Sequence, residues 1–298
     1  MGEAKRRLHR QQKFLKTHPW CIYCGAPATT TDHCPPRCFF EGRQWPETYE
    51  FPACQPCNAD ARLDEQALAV LVRSRLTETG SESDRLEWEK LAQGVKNNQP
   101  QIVAEWTKIS RNETRHGLRL AFGGEGDQRR QQGWGLINVG PLTQAMTARF
   151  MVKLGKCLYY RHNGQVFDGA LYIHHINRMS RDATPEYMSG ILQMAPELPT
   201  VQRNKKSLLD QFIYRFNHSP EHGVMYAVVQ FGEQFIFQLI AVSRDMDAEL
   251  TALAARNGME VPAVARHECF LLQKSEEPSG GGSENIAQPR LSGTVSAP

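Results

Sequence analysis

Two Cys-x-x-Cys pairs, Cys21/Cys24 and Cys54/Cys57, bracket the stretch TTTDHCPPRCFF at 29–40, which holds Asp32, His33, Cys34 and Cys38. All four of these side chains can bind a metal, and His33 can also move a proton. Two residues between thiolates let one tight turn present both sulfurs to a single ion, and two such knuckles complete a tetrahedral zinc shell. Gly25 after the first knuckle permits a positive φ, and Pro56 stiffens the second. A closed tetrathiolate has no open position for water, so this zinc is expected to be structural. Cys34-x-x-x-Cys38 with His33 also falls within ligand spacing. The knuckles already supply four thiolates, however, and Pro35 and Pro36 restrict the backbone between the extra cysteines. Cys34 and Cys38 are therefore expected as small apolar fillers.

The elements that must position these residues can be read coarsely. Residues 1–20 form a basic lead-in, helical from about Glu3 to Lys16. Its six bases (Lys5, Arg6, Arg7, Arg10, Lys13, Lys16) face one acid, Glu3. Such an arm suits phosphate contacts, and equally suits a solvated basic helix. Residues 21–75 carry six of the eight cysteines. After Asn58 the pattern becomes helical, with Leu63, Ala67, Leu68, Leu71 and Val72 at steps of three and four. One or two helices follow over 83–112, capped by Asp84 or Ser83 and interrupted near Asn98–Pro100. The Gly-rich run at 122–135 marks a loop or boundary, without the order of a phosphate-binding loop.

From Leu142 a second module begins with an amphipathic helix ending near RHNG. The aromatic, β-branched runs at 212–217, 224–231 and 234–242 predict a small antiparallel sheet with a hairpin at FGEQ. The five segments are thus 1–20, 21–75, 76–140, 141–274 and a disordered tail at 275–298, poor in large apolar residues. The fold class is α+β.

The chain has 298 residues, 40% hydrophobic and 22% charged, with a net charge of +3, so its composition announces no nucleic-acid binder. No apolar run is long enough to cross a bilayer, and the N-terminus lacks the apolar stretch of a signal peptide. A cytoplasmic location is expected, where closely spaced cysteines serve metals rather than disulfides.

The order CxxC … DHxxP … CxxCN resembles the His-Asn-His (HNH) nucleases of the ββα-metal class, and a bacterial branch with DHxPP and PACxxCN signatures in particular. The likeness covers residues 21–72, and KLGKCLYYRHNGQVF at 153–167 is less specifically similar to the C-terminal module of that branch. It implies a zinc-stabilised ββα-metal domain in a DNA endonuclease, followed by helices and an α+β module. On that resemblance Asp32 is a cation ligand, His33 the general base, and Asn58 the last motif position, where histidine is usual. Mg²⁺ or Mn²⁺ needs the oxygen ligands that Asp32 and Asn58 could supply, and an imidazole near neutral pH can take a proton from water. The chemistry also needs cations on phosphate, for which Arg37, Arg6, Arg7, Arg10 and Lys13 are the candidates. A role in defence against foreign DNA is a further expectation.

One position departs from the family pattern. The central asparagine, which braces the loop of the catalytic histidine, is replaced by Tyr49. That departure favours an alternative, a non-catalytic zinc module that binds nucleic acid or a protein partner. Each residue also has an ordinary reading: His33 and Asp32 as turn residues, Asn58 as a helix N-cap, Asp64 and Glu65 as helix-surface acids. Homodimerisation or a protein partner is assigned to the C-terminal module. Of His174 and His175, one is expected buried and one exposed. His162, His218 and His222 fall in expected turns, and Cys157 and Cys269 are read as packed.

Overall fold

The structure is a computed structural model that describes residues 3–74, 81–131, 135–176, 184–232, 235–256 and 265–269. The expected tail at 275–298 lies outside them, as does the side chain of Arg7. The class is mixed α+β. Helix α1 (Glu3–Thr17) leads to the first cysteine turn, followed by β1 (Thr30–His33), β2 (Glu50–Ala53), α2 (Gln55–Asp60) and α3 (Arg62–Val72). β1 and β2 pair antiparallel, with Asp32 opposite Phe51 and His33 opposite Glu50. Three threonines favour an extended backbone before Asp32, and Pro35–Pro36 end the strand.

Next come α4 (Glu82–Asn98), α5 (Pro100–Trp106), α6 (Arg111–Phe122) and α7 (Gly126–Gln131). The break at Asn98–Pro100 lies where the sequence places it. The cap of α4 is not Asp84 or Ser83 but Ser81, whose hydroxyl accepts from the Asp84 backbone N–H. Part of the expected Gly-rich loop is helical too. Gly123, at φ 56°, ends α6, and the chain then re-enters a helix in which Asp127 pairs with Arg119.

The long helix α8 (Pro141–Asn163) stops at Gly164, whose φ of 69° suits a left-handed cap. It packs on a five-stranded antiparallel sheet ordered β6-β7-β8-β3-β9. Those strands are β3 (Gly169–Ile176), β6 (Phe212–Ser219), β7 (Val224–Phe231), β8 (Phe235–Ser243) and β9 (Ala265–Glu268). Helix α9 (Pro185–Gln193), the short hairpin β4–β5 (Gln202–Arg203 and Lys206–Ser207) and α10 (Arg244–Arg256) complete the order. Gly155 lets α8 lie close to the sheet, since a Cβ there would meet Leu239 at 2.9 Å and Leu171 at 3.0 Å.

The cysteine-bearing segment does not rely on metal in place of a core. Ile22, Phe39, Phe40, Tyr49 and Phe51 are buried in one cluster with residues of α8 and the sheet. Phe39 meets Phe150 of α8 at 5.0 Å and Phe231 of β7 at 5.3 Å between ring centroids. This shared aromatic core fixes how α8 faces β1, α2 and α3. Among the described residues, no helix is long and apolar enough to cross a membrane.

Candidate functional site

Cys21, Cys24, Cys54 and Cys57 converge, with all four sulfurs within 4.8 Å of one another. The Cys24 and Cys54 Sγ atoms are 3.7 Å apart. A tetrahedron with Zn–S bonds near 2.3 Å has an S···S edge of about 3.8 Å, so the four thiols can hold a metal ion such as zinc. Gly25, at φ 77°, closes the first turn with its N–H on the Cys21 carbonyl at 2.9 Å. Cys54 sits at the N-cap of α2. Cys34 and Cys38 stay outside this cluster. Cys34 is fully buried in the aromatic core, and burial pushes the Cys38 thiol up to about 12.

Asp32 lies on the inner face of β1, against α8. Its Oδ2 accepts from the Tyr23 hydroxyl at 2.6 Å and pairs with Lys153 Nζ at 2.6 Å. Its Oδ1 accepts from the His33 backbone N–H at 2.9 Å. Lys153 also pairs with Glu65, and the three side chains are 7–13% exposed. Burial works against the Lys153 ammonium, but Asp32 and Glu65 together outweigh it and hold its pKa above the ordinary value. Burial raises Glu65 to about 7 against the pull of the same lysine. Glu65 is thus not a helix-surface acid but one of three side chains in a buried cluster. Asp64 pairs with Arg149 through two bonds at 2.6 and 2.9 Å.

Asn58 lies within α2 and does not cap a helix. Its Nδ2 donates to the Thr31 carbonyl at 3.2 Å and to Thr30 Oγ1 at 3.4 Å, tying α2 to β1 one turn after the knuckle. A cleft of about 690 Å³ opens beside this face, walled by Glu65, Asp64, Lys153 and Lys156 among others. Both Asp32 oxygens already have partners here, and an ammonium stands where a divalent ion would meet the carboxylate. In this arrangement Asp32 does not fit a divalent cation.

His33 points to the opposite, outer side, where its side chain is 17% exposed. Its Nε2 lies 2.6 Å from an Arg37 guanidinium nitrogen and 3.3 Å from Glu50 Oε1. Its ring meets the edge of Trp45 at 4.9 Å. Arginine can only donate, so the neutral ring takes that bond on an unprotonated Nε2. Once protonated, the same nitrogen has Glu50 to donate to. The hydrogen bond with His33 is the main cause that lowers the Glu50 pKa. Tyr49 is fully buried, and its hydroxyl meets that of Tyr214 at 3.2 Å rather than bracing the histidine. Its backbone carbonyl instead accepts from the Cys34 N–H at 3.3 Å, which holds the chain just after His33.

Of the basic arm, Arg6, Arg10 and Lys13 are exposed on α1. His174 and His175 are both exposed. His162 is not in a turn. It closes α8, with its ring stacked on Phe216 at 3.8 Å, and His218 lies on β6. Cys157 and Cys269 are buried, and Cys157 Sγ sits 3.3 Å from the Tyr23 hydroxyl.

Comparison with protein-family models, with curated proteins and with solved structures finds no match.

Proposed function

We propose that the chain is an endonuclease that hydrolyses DNA phosphodiester bonds, with a structural zinc on Cys21, Cys24, Cys54 and Cys57. The observation that carries this reading is the surroundings of His33 Nε2, an imidazole nitrogen with a guanidinium and a carboxylate on hand in a side chain that is 17% exposed. Before substrate arrives, Arg37 donates to the Nε2 lone pair. A phosphate draws the guanidinium into charge-assisted hydrogen bonds and leaves that lone pair to a water. His33 then takes a proton from the water as it attacks phosphorus, and Glu50 receives the new N–H. The P–O bond to the leaving oxygen breaks, that oxygen takes a proton from solvent, and His33 returns its own to solvent.

Mg²⁺ or Mn²⁺ on Asp32 and Asn58 belongs to this reading as an expectation of the resemblance. It requires Lys153 to leave Asp32, and no step above passes through the ion. The test is DNA nicking by zinc-loaded protein with and without His33→Ala, where the variant is expected to be inactive with its zinc retained.

A second reading, a non-catalytic zinc module that binds nucleic acid or a protein partner, is favoured by the Lys153–Asp32 pair and by the burial of Tyr49. It requires binding that survives chelation of Mg²⁺, and no cleavage with any divalent ion.

A further inference from the structure

Beside His33, the ring of Trp45 carries two guanidinium groups, with Arg37 Cζ 3.8 Å and Arg203 Cζ 3.9 Å from its centroid. Two planar cations this close to one indole have room only on opposite faces. Stacking uses the flat faces of the guanidinium and leaves its in-plane N–H groups for an anion. Arg203 Nε is buried and makes no hydrogen bond, so the anion-facing donors are the terminal nitrogens.

Arg203 belongs to the β4–β5 hairpin, which arrives from the C-terminal half of the chain. The hairpin is fixed to the loop before β2 at two points. The Glu47 N–H donates to the Gln202 carbonyl at 2.9 Å, and the Asn204 N–H donates to Glu47 Oε1 at 2.9 Å. Its run Arg203-Asn204-Lys205-Lys206 is basic, and both lysines are exposed. The two turn residues, Asn204 and Lys205, have φ of 49° and 66°. Two-residue hairpin turns of this kind favour Asn-Gly, and a lysine at the second position costs about 1 kcal/mol. The chain thus keeps a charge where a glycine would fold better, which directs attention to function. Acids nearby are Glu47, occupied by the hairpin backbone, Glu50, occupied by His33, and Glu41, whose pKa burial and Asp210 push up while Lys206 pulls it down.

We propose that the β4–β5 hairpin is a DNA-backbone contact, with Arg203, Lys205 and Lys206 engaging phosphates next to the one that Arg37 presents to His33. The choice of DNA rests on the nuclease reading; the surface itself recognises a run of phosphates. Arg10 of α1 adds a fifth positive group, acting on the Glu50 carboxylate beside His33.

The test is fluorescence anisotropy of zinc-loaded full-length protein with a short DNA duplex, over a range of salt and without added divalent ion. Lys205→Gly removes the charge while easing the turn, so its melting temperature is expected to be equal or higher. The dependence of log K on log salt is expected to flatten by about 1 for Lys205→Gly and about 2 for the Lys205→Gly, Lys206→Ser pair. Affinity of the pair at low salt falls about tenfold. Unchanged affinity and slope in folded variants would overturn the proposal, as would wild-type protein that binds no DNA. Nicking by wild-type and His33→Ala protein judges the nuclease reading separately, so the two can fail independently.

Discussion

Lys153 Nζ lies 2.6 Å from Asp32 Oδ2, which places a side-chain ammonium from α8 on the carboxylate that the resemblance to HNH nucleases would give to a divalent ion. The pair is buried, and Glu65 shares the same nitrogen. Removing one partner of such a cluster leaves a charge with neither water nor counter-ion, which costs more than a surface pair could contribute.

Lys153→Met is therefore expected to lower stability by about 3–5 kcal/mol in the absence of divalent ions. It also leaves Asp32 and Glu65 facing each other, a carboxylate pair suited to a hard cation. Mn²⁺ should then raise the melting temperature of the variant much more than that of the wild type. Equal responses in calorimetric melts would mean that the lysine does not stand in the cation's way.

Zinc removal should weaken the fold without erasing it, because Phe39, Phe150 and Phe231 join the cysteine segment to α8 and the sheet. Cys54→Ser is expected to lose the bound zinc and about 3 kcal/mol or more, a fall in Tm of roughly 10 °C. Far-ultraviolet circular dichroism should still report the helices. Complete unfolding on chelation would assign the metal a larger role than the shared core.

His162 gives a pH dependence remote from the cysteines. Burial against Phe216, aided by Arg161, lowers its pKa to about 4. An unfolded histidine titrates near 6.5, so between about 6.5 and 4 the unfolded chain binds the extra proton. Its contribution is fully present above pH 6.5 and is lost as the pH falls through that window. After a discount for partial exposure this amounts to about 2 kcal/mol. His162→Gln should flatten stability over that range in denaturant titrations, and a curve parallel to the wild type would contradict the assignment.

The cysteine knuckles were legible because their geometry is local: two residues between thiols and a glycine in the turn suffice. β1 and the helices after Asn58 were legible for the same reason. The partner of Asp32 was not, since Lys153 arrives on α8, distant in sequence, in a stretch whose likeness assigns no partner to Asp32. Glu65 looked like one more acid on a helix until α8 covered it. Residues 203–206 escaped notice as a site because four residues are too few for a composition signal, and their neighbour Trp45 is distant in sequence. Tyr49 reads as a gap in a motif, yet its hydroxyl turns into the core toward Tyr214 and its backbone supports the chain after His33.

Plasmid nicking by zinc-loaded wild-type and His33→Ala proteins with Mn²⁺ decides whether His33 is the base of a DNA hydrolase. The wild type is expected to nick DNA and the variant to lose at least about a hundredfold of that activity, with zinc content and melting temperature unchanged. Equal nicking by both proteins, or none by the wild type with any divalent ion, would contradict it.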